Sequence, residues 1–114
     1  MRAFALLAFL VVAAPAAGDE FVPGFADLPL MPGLTAVDPA PVVFDKPSGR
    51  IVETAARGAP PSAVAEFYRA TLPQLGWTPA PGGGYDAITY RRDNETLRIE
   101  MGGDGSVKFL LAPH

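Results

Sequence analysis

The stretch YDAITYRRDNETLRIEMGGDGSVKFLLA (residues 85–112) decides the fold, because apolar and polar side chains alternate along it between turn sequences. Asp93-Asn94 predicts a two-residue hairpin turn, in which Asn94 tolerates a positive φ. The segment from Gly102 to Gly105 predicts a second turn. The alternation and the turns together predict three consecutive antiparallel strands: Tyr85 to Arg92, Glu95 to Met101 and Val107 to Ala112.

The two turns also set the pairing register of these strands. A two-residue turn places Tyr90 opposite Leu97. A three-residue loop places Glu100 opposite Lys108, which is an opposite-charge pair. Most of the large apolar side chains then share one face of the sheet. This predicted apolar face consists of Ile88, Tyr90, Leu97, Ile99, Met101, Val107, Phe109 and Leu111.

Residues 59–76, upstream of the three strands, carry the clearest helical pattern. Pro61 suits the first helical position, where the backbone N–H has no partner within the helix. Gly76 is expected to end the helix, Pro73 to disturb its last turn, and Trp77 to begin the next strand. The stripe expected to face the sheet has the spacing of one helix face and consists of Val64, Phe67, Tyr68, Thr71, Leu72 and Leu75.

Residues 42–57 are expected to form a β-hairpin before the helix. Val42-Val43-Phe44 is β-branched and aromatic, and Asp45 to Gly49 has the composition of a turn. The segment from Arg50 to Ala56 supplies the second strand. These elements predict an α+β fold, a two-layer sandwich with one main helix packed on an antiparallel sheet in the order ββαββββ.

Residues 19–41 are rich in proline and in apolar side chains, and five prolines exclude a helix or a central strand there. The segment is too apolar for an unattached tail. Two interpretations stay open: an extended arm laid over the domain's own core, or a segment that docks on a partner. The chain thus divides into a signal peptide (1–18), a proline-rich extended arm (19–41) and one α+β domain (42–114).

The first 18 residues have the order of a secretory signal peptide. Arg2 gives a positive start, Phe4 to Ala14 is an unbroken apolar run, and small residues follow as far as Gly18. Cleavage after Ala16 and cleavage after Gly18 both fit. The apolar run is shorter than the roughly 20 residues that cross a bilayer. We therefore expect a periplasmic or secreted protein with no transmembrane segment after cleavage.

The composition excludes several kinds of chemistry. The chain has no cysteine, which excludes disulfides, lipid attachment to cysteine, thiol catalysis and cysteine zinc sites. Its net charge is −3, and loss of Arg2 with the signal peptide makes the remainder more acidic. An acidic chain has no electrostatic attraction for nucleic acid or for anionic lipid. We therefore expect no nucleic-acid partner.

Few side chains could carry catalysis or bind a cofactor. His114 is the only histidine and the last residue, where chain ends fray, so neither a serine–histidine triad nor a zinc site is expected. Asp45, Glu53 and Asp86 are the only carboxylates near apolar strands, and solvated strand ends explain them. Gly102 to Ser106 has one acidic residue, which indicates a turn rather than a calcium loop. The sequence predicts no enzyme activity, no cofactor and no metal site.

The helix and the strand after it share the pattern Val64-x-x-Phe67-Tyr68-x-x-x-Leu72-x-x-x-Gly76-Trp77. This pattern resembles that of small exported bacterial proteins of unknown function. The stretch Phe44-Asp45-x-Pro47-x-Gly49-Arg50-Ile51 and the segment Leu28 to Leu34 are similar to one such group of short periplasmic proteins. The resemblance covers most of the chain after the signal peptide. It implies an exported α+β domain and no particular activity.

We expect a non-catalytic exported domain, a protein-interaction or accessory module of the bacterial envelope. An envelope protein would bind the proline-rich arm or an unpaired sheet edge such as Val107 to Ala112. An alternative is a small-ligand-binding periplasmic protein with a pocket between arm and sheet, lined by Trp77 and Tyr85. A hydrolase is the third hypothesis. The residues expected to contact a partner or ligand are Leu28, Leu30, Met31, Leu34, Trp77 and Tyr85.

Overall fold

One α-helix and a seven-stranded antiparallel sheet form the fold in the computed structural model, which describes residues 20–37, 41–84 and 86–114. The fold is therefore α+β, as the sequence predicts. The predicted signal peptide (1–18) and Tyr85 lie outside the described residues. In chain order the elements are β1 (Thr35–Ala36), β2 (Val42–Lys46), β3 (Gly49–Arg57), α1 (Pro61–Thr71), a 3₁₀ turn (Leu72–Leu75), β4 (Thr78–Pro79), β5 (Ala87–Arg92), β6 (Glu95–Met101) and β7 (Ser106–Pro113).

The order along the chain differs from the expected ββαββββ by one extra strand, β1, before the hairpin. β1 has two residues and pairs with β3 at Ala56 and Arg57. A strand this short has no alternation to detect, because two residues span a single period of the strand pattern. Its place is decided by β3, a partner some twenty residues further along the chain.

The strands lie in the order β1-β3-β7-β6-β5-β4, and β2 also pairs with β3. β7 occupies the opposite side of β3, so β1 and β2 line one edge of the sheet end to end. β4 forms the other edge. Because β7 pairs with both β3 and β6, the expectation that Val107 to Ala112 is an unpaired edge is wrong. Hairpin turns show which consecutive strands pair, but the β3–β7 pairing spans the helix.

The predicted register of β5, β6 and β7 is confirmed. The turn between β5 and β6 has its positive φ, 56°, on Asp93 rather than on Asn94. Gly105, at φ 88°, supplies the left-handed residue of the loop before β7, which is common in three-residue hairpin loops. The predicted pairs that the sheet contains include Tyr90 with Leu97, Ile99 with Phe109, and Glu100 with Lys108.

The predicted helix and its stripe are also confirmed. α1 begins at Pro61, and Pro73 lies in the 3₁₀ turn that continues it, where the loss of one N–H donor is tolerated. Gly76 ends the turn at φ 91°, and its N–H donates to the carbonyl oxygen of Pro73 at 3.2 Å. All six residues of the stripe are buried or half-buried: Val64, Phe67, Tyr68, Thr71, Leu72 and Leu75.

The hydrophobic core lies between α1 and one face of the sheet. That face is the one predicted for β5, β6 and β7, and β3 extends it with Val52 and Ala56. The ring of Tyr68 packs edge-on against Phe109, with 5.6 Å between the ring centroids. Each large side chain buried in this way contributes about 1.5–3 kcal/mol. The helix and the sheet therefore hold one another in place through a continuous apolar layer.

Residues 20–37 fold back on the core and do not run as an extended arm. The N–H of Val22 donates to the carbonyl oxygen of Leu28 at 2.8 Å, which closes a loop. Gly24 turns this loop at φ 88°, and a Cβ there would lie 2.8 Å from Cγ1 of Val52. Of the two open interpretations, packing on the domain's own core has the support of these contacts. Four side chains of the segment join the core: Val22, Leu28, Leu30 and Leu34.

Polar contacts attach the same segment to the helix and to the sheet. The hydroxyl of Tyr68 donates to the carbonyl oxygen of Pro29 at 2.8 Å and accepts the N–H of Met31 at 3.1 Å. Nη2 of Arg50 donates to the carbonyl oxygen of Gly24 at 2.7 Å. Burial raises the pKa of Tyr68 above its ordinary value, and the Met31 N–H opposes part of that rise. Tyr68 therefore stays a neutral donor.

Candidate functional site

The exposed large apolar side chains of the described residues lie along one edge of the sheet. Val37 extends β1, because its N–H donates to the carbonyl oxygen of Ala55 in β3 at 3.1 Å. Phe21 lines a groove beside β1. The other three belong to β2. We call these five residues the apolar edge; their exposed fractions are Phe21 50%, Val37 47%, Val42 46%, Val43 42% and Phe44 59%.

β2 is an edge strand in which every residue is exposed. Among the described residues it pairs with β3 alone. Natural edge strands are ordinarily protected by charge, by proline, by shortness or by a covering segment, since unpaired backbone groups invite another strand. Val42-Val43-Phe44 contains neither a charge nor a proline, and no other described strand pairs with it on the side away from β3. The charged residues of β2, Asp45 and Lys46, lie at the hairpin tip. Such an edge is a surface suited to protein contact.

Along β2, residues whose backbone groups bond to β3 alternate with residues whose backbone groups point away from it. Lys46 and Gly49 are paired across a two-residue loop, so they exchange both of their hydrogen bonds. Hydrogen-bonded pairs recur at every second residue of an antiparallel ladder, so Phe44 and Val42 also bond to their partners in β3. The N–H and C=O groups of Val43 and Asp45 therefore point away from β3, toward any strand that adds to this edge.

The side chains of β2 also alternate between the two faces of the sheet. Val43 lies opposite Val52 and so belongs to the core face, whereas Phe44 lies opposite Ile51 on the open face. Ile51 and Leu110 are half-buried there, which continues the apolar surface of Phe44 inward from the edge.

Charged side chains cover the middle of the open face. Nζ of Lys108 lies 3.9 Å from a carboxylate oxygen of Glu53, and Nε of Arg98 lies 2.8 Å from one of Glu100. All four side chains are between 39% and 50% exposed. Solvent-exposed pairs of this kind contribute about 0–1 kcal/mol. They give this face its polarity and leave the apolar surface concentrated toward β2.

The leucines predicted to contact a partner lie inside the protein. Leu28, Leu30 and Leu34 are 2%, 6% and 5% exposed. Met31 is half-buried and packs against the core. A contact of these side chains with a partner would require residues 20–34 to leave the core. Their role in binding remains a prediction. The residues of the apolar edge, which are exposed, were not predicted from the sequence to contact a partner.

Trp77 is 4% exposed and packs the end of the helix against the sheet. The guanidinium of Arg92 lies 4.3 Å from the centre of the indole ring. Nη1 of Arg92 also donates to Asp27 at 2.8 Å and to the carbonyl oxygen of Leu75 at 3.0 Å. This arrangement covers the ring and ties residues 20–34 to the sheet.

The space beside Trp77 is small. A cavity of about 80 Å³ lies between Trp77, Arg92 and the loop at Asp27. Ligand pockets ordinarily measure about 300–1,000 Å³. Tyr85, the second residue predicted for this pocket, lies outside the described residues. The cavity therefore gives no support to a sugar-sized ligand stacked on Trp77.

Two larger clefts lie at one end of the sheet. They measure about 440 and 460 Å³ and share Asp86, Ala87 and Met101. Both clefts are open to solvent. In residues 20–37, 41–84 and 86–114, no group of three or more histidine, aspartate or glutamate side chains is placed to hold a metal ion.

The segment from Gly102 to Ser106 forms the turn that the sequence predicts. Oδ1 of Asp104 accepts hydrogen bonds from Oγ of Ser106 at 2.7 Å and from its N–H at 3.1 Å. These bonds, the hydroxyl one first, lower the pKa of Asp104 below its ordinary value. The carboxylate thus closes a turn before β7, which explains an acidic residue in this glycine-rich loop.

Comparison with protein-family models, with curated proteins and with solved structures gives no significant match to this chain. The resemblance to small exported proteins remains an expectation from the sequence. No helix within the described part of the chain is long and apolar enough to cross a membrane.

Proposed function

We propose that this chain is a non-catalytic exported domain of the bacterial envelope, and that it binds another protein along the edge formed by β1 and β2. The observation that carries the proposal is the apolar edge, where five large apolar side chains are 42–59% exposed. Exposing them to water is unfavourable, so covering them with a partner supplies binding free energy. The backbone groups of Val43 and Asp45 that point away from β3 are not paired with any other described strand. They favour an extended strand as the binding segment, because a strand can bond to both residues.

The N-terminal sequence supports export to the periplasm or out of the cell. Its charged start, apolar run and small residues have the order of a signal peptide. A cysteine-free chain folds without any oxidation step in that compartment. The absence of cysteine and the single terminal histidine leave few groups for nucleophilic or metal-dependent catalysis.

The small-ligand hypothesis has less support. Its proposed pocket at Trp77 corresponds to a cavity of about 80 Å³ beside a buried indole. Titration with cell-wall fragments, sugars or lipids, followed by the fluorescence of Trp77, tests it directly because Trp77 is the only tryptophan. A saturable shift in the emission would move ligand binding ahead of protein binding.

The test of the proposal is capture of an envelope partner by the full-length protein carrying an affinity tag. Phe44→Arg places a charge on the apolar edge and should reduce the captured partner at least tenfold. Thr78→Arg, an exposed position on the opposite edge, should leave capture unchanged. The partner is identified by mass spectrometry after crosslinking. Equal capture by both variants, with thermal melting unchanged, would reject the edge as the binding surface.

A further inference from the structure

The outer side of β2 can be matched geometrically to the β2 strand of a second copy. A two-fold axis perpendicular to the sheet would bring the two strands together antiparallel, with the open faces of both copies on the same side. The outward N–H and C=O groups of one strand, at Val43 and Asp45, then meet the same groups of the other at the same spacing.

Registers that keep equivalent faces together are centred on one residue of β2. Of the three with the longest overlap, centred on Val43, Phe44 and Asp45, two are unfavourable. A register centred on Val43 sets Asp45 opposite Pro41, which has no N–H to donate. A register centred on Asp45 sets two carboxylates opposite each other, and like charges in that position are destabilising. In the register centred on Phe44, Val43 of each copy lies opposite Asp45 of the other. The outward N–H and C=O groups of both residues then all have hydrogen-bond partners.

Charge complementarity also favours the register centred on Phe44. Lys46 of one copy then lies opposite Val42 of the other, and Val42 is in turn paired with Glu53 on the same face. Two strand spacings, about 10 Å, separate the Lys46 and Glu53 backbones. Their long side chains lie on the open face and can approach across Val42. The symmetry makes this contact twice, and no like charges lie opposite each other.

Phe44 lies on the two-fold axis in this arrangement. Its own backbone groups are directed to β3, so the two Phe44 residues form a pair without hydrogen bonds between them. Side chains are closest in such pairs, and two aromatic rings facing each other across strands are stabilising. Phe44 is 59% exposed in the single copy, the largest value among the exposed large apolar residues. The pairing therefore covers the most exposed of these side chains.

We infer that β2 of this protein pairs with β2 of a second copy around Phe44, which joins the two sheets into one. This inference rests on the proposed function of the apolar edge and names its partner. β2 has five residues, about 17 Å of strand. A single strand pair of that length is a small interface, whereas a stable complex ordinarily buries roughly 1,000 Å² or more. The dimer is therefore weak and depends on protein concentration.

The natural absence of cysteine makes the register testable by disulfide formation. In a Phe44→Cys variant the two cysteines lie opposite each other in a pair without hydrogen bonds, with Cα atoms about 4.5 Å apart. That distance is within the range of a disulfide. The control is Val42→Cys, on the same strand and the same face. Its two copies are offset by four residues, about 13 Å, which a disulfide cannot bridge.

The full-length protein, purified as its host processes it, is oxidised mildly at several concentrations. We expect Phe44→Cys to form disulfide-linked dimers at least tenfold faster than Val42→Cys, with a rate that rises with concentration. Sedimentation of the unmodified chain should show a dimer fraction that rises in the same range and disappears in Phe44→Arg. Equal crosslinking of the two cysteine variants, or a monomer at all concentrations, would overturn the inference.

The same variants separate this inference from the proposed function. If the unaltered protein stays monomeric but Phe44→Arg loses capture of an envelope protein, the edge binds a different protein and only the dimer inference is rejected. If the protein stays monomeric and Phe44→Arg captures as much partner as the unaltered protein, both proposals are rejected. The fluorescence of Trp77, a buried reporter far from β2 in sequence, shows that each variant is folded.

Discussion

At the scale of the residue, Tyr68 shows how one side chain joins parts that are distant in sequence. Its ring lies in the core against Phe109, and its hydroxyl bonds to Pro29 and Met31. The helical period predicts that Tyr68 faces the sheet, but not that its hydroxyl holds the N-terminal segment. Periodicity reports the direction of a side chain from its helix, whereas a hydrogen-bond partner some forty residues away depends on how the chain folds back.

Replacing Tyr68 with phenylalanine should lower the free energy of unfolding by about 1–3 kcal/mol, because the Pro29 carbonyl and the Met31 N–H lose their partner. The ring remains, so core packing is retained. Urea denaturation followed by Trp77 fluorescence measures the difference. A change in the free energy of unfolding under about 0.5 kcal/mol, which is typical of substitutions at the surface, would show that water can replace the hydroxyl without loss of stability.

The same residue gives a dependence on pH. The pKa of Tyr68 is raised by burial in the folded protein, whereas the unfolded chain has the ordinary value of about 10. The stabilising contribution of the neutral hydroxyl is therefore fully present below about pH 10 and is lost as the pH rises toward the folded pKa. The stability advantage over Tyr68→Phe should narrow above about pH 10. An advantage that grew with pH would contradict this assignment.

Leu72 tests the packing of the helix on the sheet. It has no exposed surface, and truncation of a buried leucine to alanine costs about 2–5 kcal/mol. Leu72→Ala should lower the free energy of unfolding by that amount in chemical denaturation. Ser62→Ala, at an exposed position of the same helix, is the control and should change it by less than about 0.5 kcal/mol. Equal effects of the two substitutions would count against the packing.

At the scale of the element, local rules predict the helix and the last three strands well. The stripe spacing in α1, the glycine at its end and the two hairpin turns each depend on residues close together in sequence. β1, the position of β7 and the packing of residues 20–37 depend on contacts across long stretches of chain. The prolines of that segment exclude regular structure, but they do not show which surface it covers.

Deleting residues 20–34 should unfold the protein, because it removes Val22, Leu28, Leu30 and Leu34 from the core. Circular dichroism and Trp77 fluorescence should show loss of the cooperative transition. Phe44→Arg, which alters an exposed residue only, is the control and should melt as the unaltered protein does. A deletion that stayed folded and lost its partner would instead support the interpretation of this segment as a docking arm.

At the scale of the whole molecule, the two edges of the sheet are not equivalent. The edge formed by β1 and β2 carries the apolar edge residues, whereas β4, at the other, is a two-residue strand with Pro79 in it. Proline and shortness are ordinary protections against edge-to-edge pairing. The asymmetry makes the edge of β1 and β2 the better suited of the two to pair with another strand, which is the physical basis of both proposals.

Export should be visible in the mass of the intact protein. Protein recovered from the periplasmic or secreted fraction should begin at Ala17 or at Asp19, depending on whether cleavage follows Ala16 or Gly18. Mass spectrometry separates the two, and a cell fraction marker shows that the cytoplasm did not leak. Recovery of the uncut chain from the cytoplasm alone would reject the export proposal.

The sequence by itself determined the helix, the last three strands and the faces they bury, because helical stripes, strand alternation and turn residues act over a few neighbouring positions. It also excluded chemistry that requires cysteine, since the chain has none. Only the tertiary structure decided that β7 is central, that Leu28 is buried, and that Val42 to Phe44 are exposed. Those outcomes depend on which distant segments compete for one hydrophobic surface, and no local pattern encodes that competition.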